Sequence, residues 1–203
     1  MRKLLVTTFV SLDGVMQAPG GPGEDDDGGF AYGGWSVHHW DDTMADAMSR
    51  IMGAPFDLLL GRRTYEIFAS FWPTAPEEAG GKPLNDATKY VASRSRPELG
   101  WGPAVLLEGD VAERVSELKV GDGPELQVHG SGNLLQTLLR RSLIDEFHIW
   151  RFPVVIGSGK RLFADGAIPA ALRLISTTVS TTGVVIETYE AAGELVTGTF
   201  APE

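Results

Sequence analysis

Apolar positions fall into short blocks whose spacing alternates between two periods. Leu4–Val10 is a β-rich run that enters the turn Ser11-Leu12-Asp13-Gly14, and it predicts a strand. Asp41–Met52 places Met44, Ala45, Met48, Ile51 and Met52 at helical spacing. Asp57–Leu60 is a short apolar strand closed by Gly61, with a helix expected over Arg62–Ala69. Lys89–Ser93 and Ala104–Leu107 predict further strands, and Val111–Lys119 an amphipathic helix. The strand Glu125–His129 leads into a helix over Asn133–Arg141, with Leu134, Leu135, Leu138 and Leu139 as its stripe. Phe147–Phe152, Leu172–Thr178, Val184–Glu190 and Leu195–Phe200 then predict strands with few helices between them. Alternating strands and helices followed by consecutive strands imply an α/β fold. Its sheet is mixed, because short connections at the C-terminal end can add only antiparallel strands.

The 203 residues suggest one domain, spanning 1–203, without internal repeat or dividing linker. A hydrophobic fraction of 43% is ample for a core, so disorder is not expected. The net charge of −10 argues against a nucleic-acid partner, since binding to phosphate backbones rests on clustered Lys and Arg. No apolar run reaches the ~18 residues of a membrane span. The early polar residues Thr7, Thr8, Ser11 and Asp13 do not fit a signal peptide, so the expected location is the cytoplasm. The absence of cysteine excludes thiolate zinc sites, iron–sulfur clusters and a cysteine nucleophile.

Glycine is concentrated between Gly14 and Gly34, around Pro19, Pro22 and the acidic run Glu24-Asp25-Asp26-Asp27. This predicts a long surface loop at about 17–40, either a lid or a disordered insertion. Three strand-to-loop junctions carry candidate chemistry. Gly61-Arg62-Arg63-Thr64 puts a permissive backbone, two guanidiniums and a capping hydroxyl at a helix start, where a phosphate can be held. Ser93-Arg94-Ser95-Arg96 can grip a phosphomonoester such as the 2′-phosphate of NADPH. His129-Gly130-Ser131-Gly132-Asn133-Leu134 runs from a strand through Gly-x-Gly into a helix, a plausible pyrophosphate cradle lacking the third glycine of the dinucleotide fingerprint. Each also reads as an ordinary capped helix start or polar turn. The stretch Pro153–Phe163 fails as a Walker A loop: Val154 stands where its first glycine is required, and Lys160 is followed by Arg161. No metal site is expected; His38 and His39 are adjacent and point apart, and His129 and His148 read as packed strand residues.

Together these segments resemble the dihydrofolate reductase superfamily. Leu58–Glu66 is similar to its Gly-Arg-x-Thr segment. Ser11–Gly14, Gly130–Gly132 and Pro153–Phe163 resemble the reductase domain of the bifunctional riboflavin-biosynthesis deaminase-reductase, in order from Leu4 to about Tyr189. The resemblance implies a three-layer fold: a mixed, mostly parallel sheet with an antiparallel C-terminal edge and helices on both faces. It also implies NADPH as cofactor, a small-molecule substrate and a homodimer. Carried over, Gly61, Arg62, Arg63 and Thr64 meet phosphates and adenosine ribose, and Ser93 and Arg94 meet the 2′-phosphate. Gly130, Ser131, Gly132, Asn133 and Leu134 wrap the pyrophosphate, while Thr8 and Phe9 border the nicotinamide. Asp13 is expected to orient a polar substrate. Asp46, the nearest of Asp41, Asp42 and Asp46 to Gly61, is expected to relay a proton or anchor substrate. Phe30, Tyr32, Trp35 and Trp40 offer an aromatic wall for a planar substrate. No deaminase zinc motif precedes the domain, so only the reductase half is expected. The expected function is NADPH-dependent reduction of a pterin- or pyrimidine-like compound. The alternative is a non-catalytic nucleotide or ligand binder acting as a sensor or interaction module.

Overall fold

The computed structural model describes residues 1–76, 79–164 and 167–200. Eight strands form one sheet: β1 (Leu4–Ser11), β2 (Phe56–Gly61), β3 (Lys89–Ala92), β4 (Ala104–Leu107), β5 (Glu125–His129), β6 (Glu146–Phe152), β7 (Leu172–Val179) and β8 (Val185–Ala191). Their order is β4-β3-β2-β5-β1-β6-β8-β7. Pairs from β4 to β6 are parallel, and β8 is antiparallel to both of its neighbours. The mixed sheet with its antiparallel edge is the one that the pattern implied.

Helices α1 (Asp42–Ile51), α2 (Arg62–Phe71) and α3 (Lys82–Asp86) cover one face, and α4 (Val111–Val120) and α5 (Gly132–Arg140) the other. Residues of β1 alternate between the layers. Leu4, Val6 and Val10 join the core beneath α4 and α5, with Leu126, Val128, Leu135 and Leu138. Phe9 turns to the opposite face, where Met44, Trp150 and Phe152 pack under α1. Asp41 fixes that helix by accepting from the Met44 amide (2.9 Å) and from the amide and hydroxyl of Thr181 (both 2.7 Å) in the β7–β8 turn.

The α1–α3 face carries two separate apolar clusters. One surrounds Phe56, Leu58, Leu60, Tyr65 and Trp101, the other Trp150 and Phe152. Between them runs a polar strip from β5, β1 and β6. Gln127 is register partner of Leu58, and Thr7 is partner of both His129 and His148. Burying polar groups here costs free energy unless they are paired, so this break in the core points to a functional floor.

The expected strand Leu195–Phe200 does not form. Its segment has no regular structure, and Leu195, Val196 and Phe200 are exposed. Both sides of β8, the strand it follows, are already taken by β6 and β7. Gly193, at φ +91°, turns the chain away after its carbonyl accepts from the Ala171 amide. No helix among the described residues is long and apolar enough to cross a membrane.

Candidate active site

The sheet order aligns the carboxyl ends of β4, β3, β2, β5 and β1 along one rim, where open α/β sheets bind ligands. A cavity of about 1480 Å³ follows that rim. Single-ligand pockets usually occupy about 300–1,000 Å³, so this one has room for two reactants. All three predicted junctions border it, with Thr8 and Phe9 at the end of β1.

The β2–α2 and β5–α5 junctions are tied together through Ser131. Its hydroxyl accepts from the Gly61 amide (2.9 Å) and donates to Thr64 Oγ1 (2.8 Å). Ser131 pays with a left-handed backbone, φ 72° and ψ 64°, a conformation that costs a non-glycine residue on the order of 1 kcal/mol or more. Glycine at 61 eases the close approach, since a Cβ there would lie a tight 3.3 Å from the Ser131 side chain. Thr64 therefore does not cap α2; Gly61 occupies the cap position without a side-chain bond, and the Thr64 hydroxyl serves the junction. The N-terminus of α5 opens beside this knot and contributes its orphan amides and positive dipole end.

At the end of β3, the Ser95 amide donates to Ser93 Oγ (3.1 Å), shaping the turn that presents Arg94. Arg94 is exposed and makes no ion pair among the described residues, whereas Arg96 pairs with Glu108 at 2.7 Å. Arg62 reaches Glu66 at 3.5 Å, within its own helix.

The glycine-rich segment is folded as a lid. Buried Gln17 organises it: Gln17 Nε2 donates to the carbonyls of Asp25 (3.0 Å) and Asp27 (2.9 Å), and Gln17 Oε1 accepts from the Lys160 amide (3.0 Å). Trp35 Nε1 donates to the Gln17 carbonyl at 2.8 Å. Phe30 packs against Val15 and Ala18, and Trp35 against Phe152, so both anchor the loop. Of the four aromatics expected to form a wall, Trp40 alone borders the cavity, stacked on Trp150 at 6.0 Å; Tyr32 is exposed. The acidic run faces inward: Asp25 pairs with Arg63 (3.2 Å) and Lys160 (2.7 Å), and Asp27 with Lys160 (2.9 Å). Glu24 accepts from the amides of Gly20 (2.6 Å) and Gly21 (3.1 Å), while burial pushes its carboxyl above the usual range.

Neither expected catalytic carboxylate borders the cavity. Asp46 lies on the exposed side of α1, which instead offers Met48 to the cavity. Asp13 is occupied in joining loops: its carboxylate accepts from Ser11 Oγ (2.6 Å) and from the amides of Ile156 (3.0 Å) and Gly157 (2.8 Å). These bonds hold its carboxyl well below the usual range, so it is ionised and committed to joining the two loops.

Sequence reasoning also missed part of the rim. Gly109-Asp110-Val111-Ala112, at the β4–α4 junction, lines the cavity and carries the same strand-to-glycine signal as the other three. Arg140 and Arg141 reach the cavity from the far end of α5, where no local motif announces them. His129 borders it too, although its strand position suggested simple packing.

These residues suit a phosphorylated dinucleotide: open glycine backbones, a helix N-terminus and guanidiniums sit together in a chain of net charge −10. The comparisons agree with this geometry. The family model described as the RibD C-terminal domain matches residues 2–186, and the chain belongs to that family. Among curated proteins, it is 28% identical over 196 residues to the uncharacterized protein YyaP of Bacillus subtilis (strain 168), covering 95% of this chain and 96% of that one. Among solved structures, a putative riboflavin biosynthesis protein from Shewanella sp. PV-4 superposes with a TM-score of 0.64 at 21% identity, covering 93% of this chain and 98% of the other. A pyrimidine reductase-like protein from Corynebacterium diphtheriae gives 0.64 at 13% identity, covering 95% and 93%. Dihydrofolate reductase from Enterococcus faecalis, complexed with NADP(H), gives 0.58 at 16%, covering 94% and 96%. The fold is thus dihydrofolate reductase-like, and the family supports a reductase-type function.

Proposed function

We propose that this protein is an NADPH-dependent reductase that transfers hydride to a small planar substrate of the pterin or pyrimidine kind. The observation that carries this reading is the convergence of the strand-end junctions, with the unpaired Arg94, on one cavity. In this reading Gly61, Arg62, Arg63 and Thr64 meet the cofactor's phosphates and adenosine ribose. Ser93 and Arg94 take the 2′-phosphate, and Gly130, Ser131, Gly132, Asn133 and Leu134 the pyrophosphate. Thr8 borders the nicotinamide, which supplies the hydride when the cofactor is bound. The chain's own part is to orient that ring and exclude water from it with the folded lid. Asp13 and Asp46 receive no proton-transfer role, because neither borders the cavity. The homodimer implied by the family belongs to the same proposal.

Titration with NADPH and NADH, following fluorescence of the cavity tryptophans Trp40 and Trp72, tests the reading. NADPH is expected to bind in the micromolar range; no binding of either nucleotide below millimolar concentration overturns the proposal. One observation favours the non-catalytic alternative: α1 presents thioether rather than carboxylate to the cavity. NADPH binding without oxidation across a panel of pterins, pyrimidines and quinones would support a sensor, whereas turnover eliminates it.

A further inference from the structure

The polar strip under α1 reaches the cavity at His129. Its hydrogen bonds fix the tautomer. Gln127 Nε2 donates to the Ile51 carbonyl (2.9 Å) and to Glu125 Oε1 (2.7 Å), so the Gln127 amide oxygen faces the imidazole. That oxygen only accepts, and the 3.0 Å contact with His129 Nε2 therefore places the proton on Nε2. Burial, reinforced by neighbouring His148, pushes the imidazole pKa down to about 4, so the ring is neutral near pH 7. His129 Nδ1 is then a bare acceptor without a partner among the described residues. Its register partner Thr7 also borders the cavity, and the Thr7 hydroxyl is buried without a partner there.

Chains of this kind are built to hold a side chain in one orientation. Glu125 and the Ile51 carbonyl orient Gln127, and Gln127 orients His129. The arrangement leaves an acceptor on a residue that lines the same cavity as Met48 and Met52, at the strand end that precedes Gly130.

We propose that His129 Nδ1 accepts a hydrogen bond from a ring N–H of the second reactant, so that the site selects planar lactams over their N-alkylated counterparts. This rests on the reductase reading and adds to it the edge by which the substrate is recognised. A site built to pair a ring N–H discriminates against the analogue that lacks it, because the imidazole acceptor is then left unpaired.

The test uses the full chain saturated with NADPH, with quinazoline-2,4-dione and its 1,3-dimethyl derivative as probes. The wild-type protein is expected to bind the parent lactam about tenfold more tightly than the dimethyl compound, the worth of one well-placed hydrogen bond. His129→Leu should abolish the preference, and His129→Asn, which keeps an acceptor, should restore part of it. A nitrogen-15 NMR spectrum of the imidazoles in the wild-type protein reads the same contact without mutation. The Nδ1 resonance should start as an unprotonated nitrogen and move on addition of the lactam but not of the dimethyl compound. Equal binding of the two probes, absence of lactam binding, a preference retained in His129→Leu, or an unmoved Nδ1 signal would each overturn the inference. NADPH affinity separates this failure from that of the reductase reading: it is unchanged if His129 alone is misassigned, and absent if the broader proposal fails.

Discussion

Arg94 and Arg63 stand on the same cavity rim under opposite conditions. Arg94 projects from a serine turn and has no charged partner among the described residues, while Arg63 lies 3.2 Å from Asp25 of the lid. Arg94 is exposed within the Ser93–Ser95 turn, and its charge is unmatched among the described residues. Around Arg63 and Lys160 the chain supplies its own anions, Asp25 and Asp27. The same side-chain type is thus without a charged partner among the described residues on one wall and latched by the lid on the other. What distinguishes them is the loop folded over one and absent from the other.

The largest expected effect tests the open wall. Arg94→Ala should weaken NADPH by roughly 10- to 100-fold, the worth of a charge-assisted hydrogen bond of about 1.5–3 kcal/mol, and leave NADH nearly unchanged. Paired titrations of the two nucleotides check it. Equal weakening of both would place Arg94 away from the 2′-phosphate and remove its special standing relative to Arg63.

That contrast also separates what could be read in the sequence from what could not. The parallel strands are legible because residues such as Leu58, Leu59 and Leu60 are buried on both faces of the sheet and form unbroken apolar runs. Junction chemistry is legible at Gly61 and Gly130, where glycine meets polar residues just beyond a strand. Gly109 carries the same signal just beyond β4 and also lines the cavity. Other features depend on distant partners. Gln17 holds the lid through bonds to Asp25, Asp27 and Lys160, and no local pattern shows that a glycine-rich acidic segment will close on basic residues 38 to 135 positions away. Asp46 is expected from its nearness to Gly61 in sequence, and Asp13 from the resemblance of its turn. Helix rotation turns one to solvent, and loop packing consumes the other. Leu195–Phe200 has strand-forming residues, but the turn at Gly193 leads the chain away from the sheet before they begin.

A second variant probes whether the latch side is structural and independent of the cofactor. Asp13 binds the 156–157 amides, just before the segment that carries Lys160 to the lid. Asp13→Asn should cost about 1 kcal/mol of stability through the weakened amide bonds and leave NADPH affinity unaltered. The pH dependence has a definite sign. The folded carboxyl titrates well below the unfolded one, so at acidic pH the unfolded chain binds more protons. The stabilisation is therefore complete above about pH 4 and declines as the pH falls below it. Urea unfolding at pH 7 and pH 3 should show a gap between wild type and Asp13→Asn that narrows at the lower pH. A gap that widens there would mean the charge of Asp13 opposes the fold.

The smallest effect distinguishes two meanings of the latch. Asp25 either competes with an incoming phosphate for Arg63 or holds Arg63 in position to receive it. Competition is the better account of the geometry, because Asp25 bridges Arg63 and Lys160 and lowers the positive charge that each presents to the cavity. Asp25→Asn keeps the shape of the side chain, and the Gln17 bond to the Asp25 carbonyl does not depend on its charge. A partly exposed ion pair contributes at most about 1 kcal/mol, so NADPH should bind roughly two- to fivefold more tightly to Asp25→Asn than to wild type. The difference should shrink at high salt, where phosphate–guanidinium attraction is screened in both proteins. Weaker binding to Asp25→Asn would reverse the assignment, making the lid carboxylate a scaffold for Arg63 and both walls parts of one receptor.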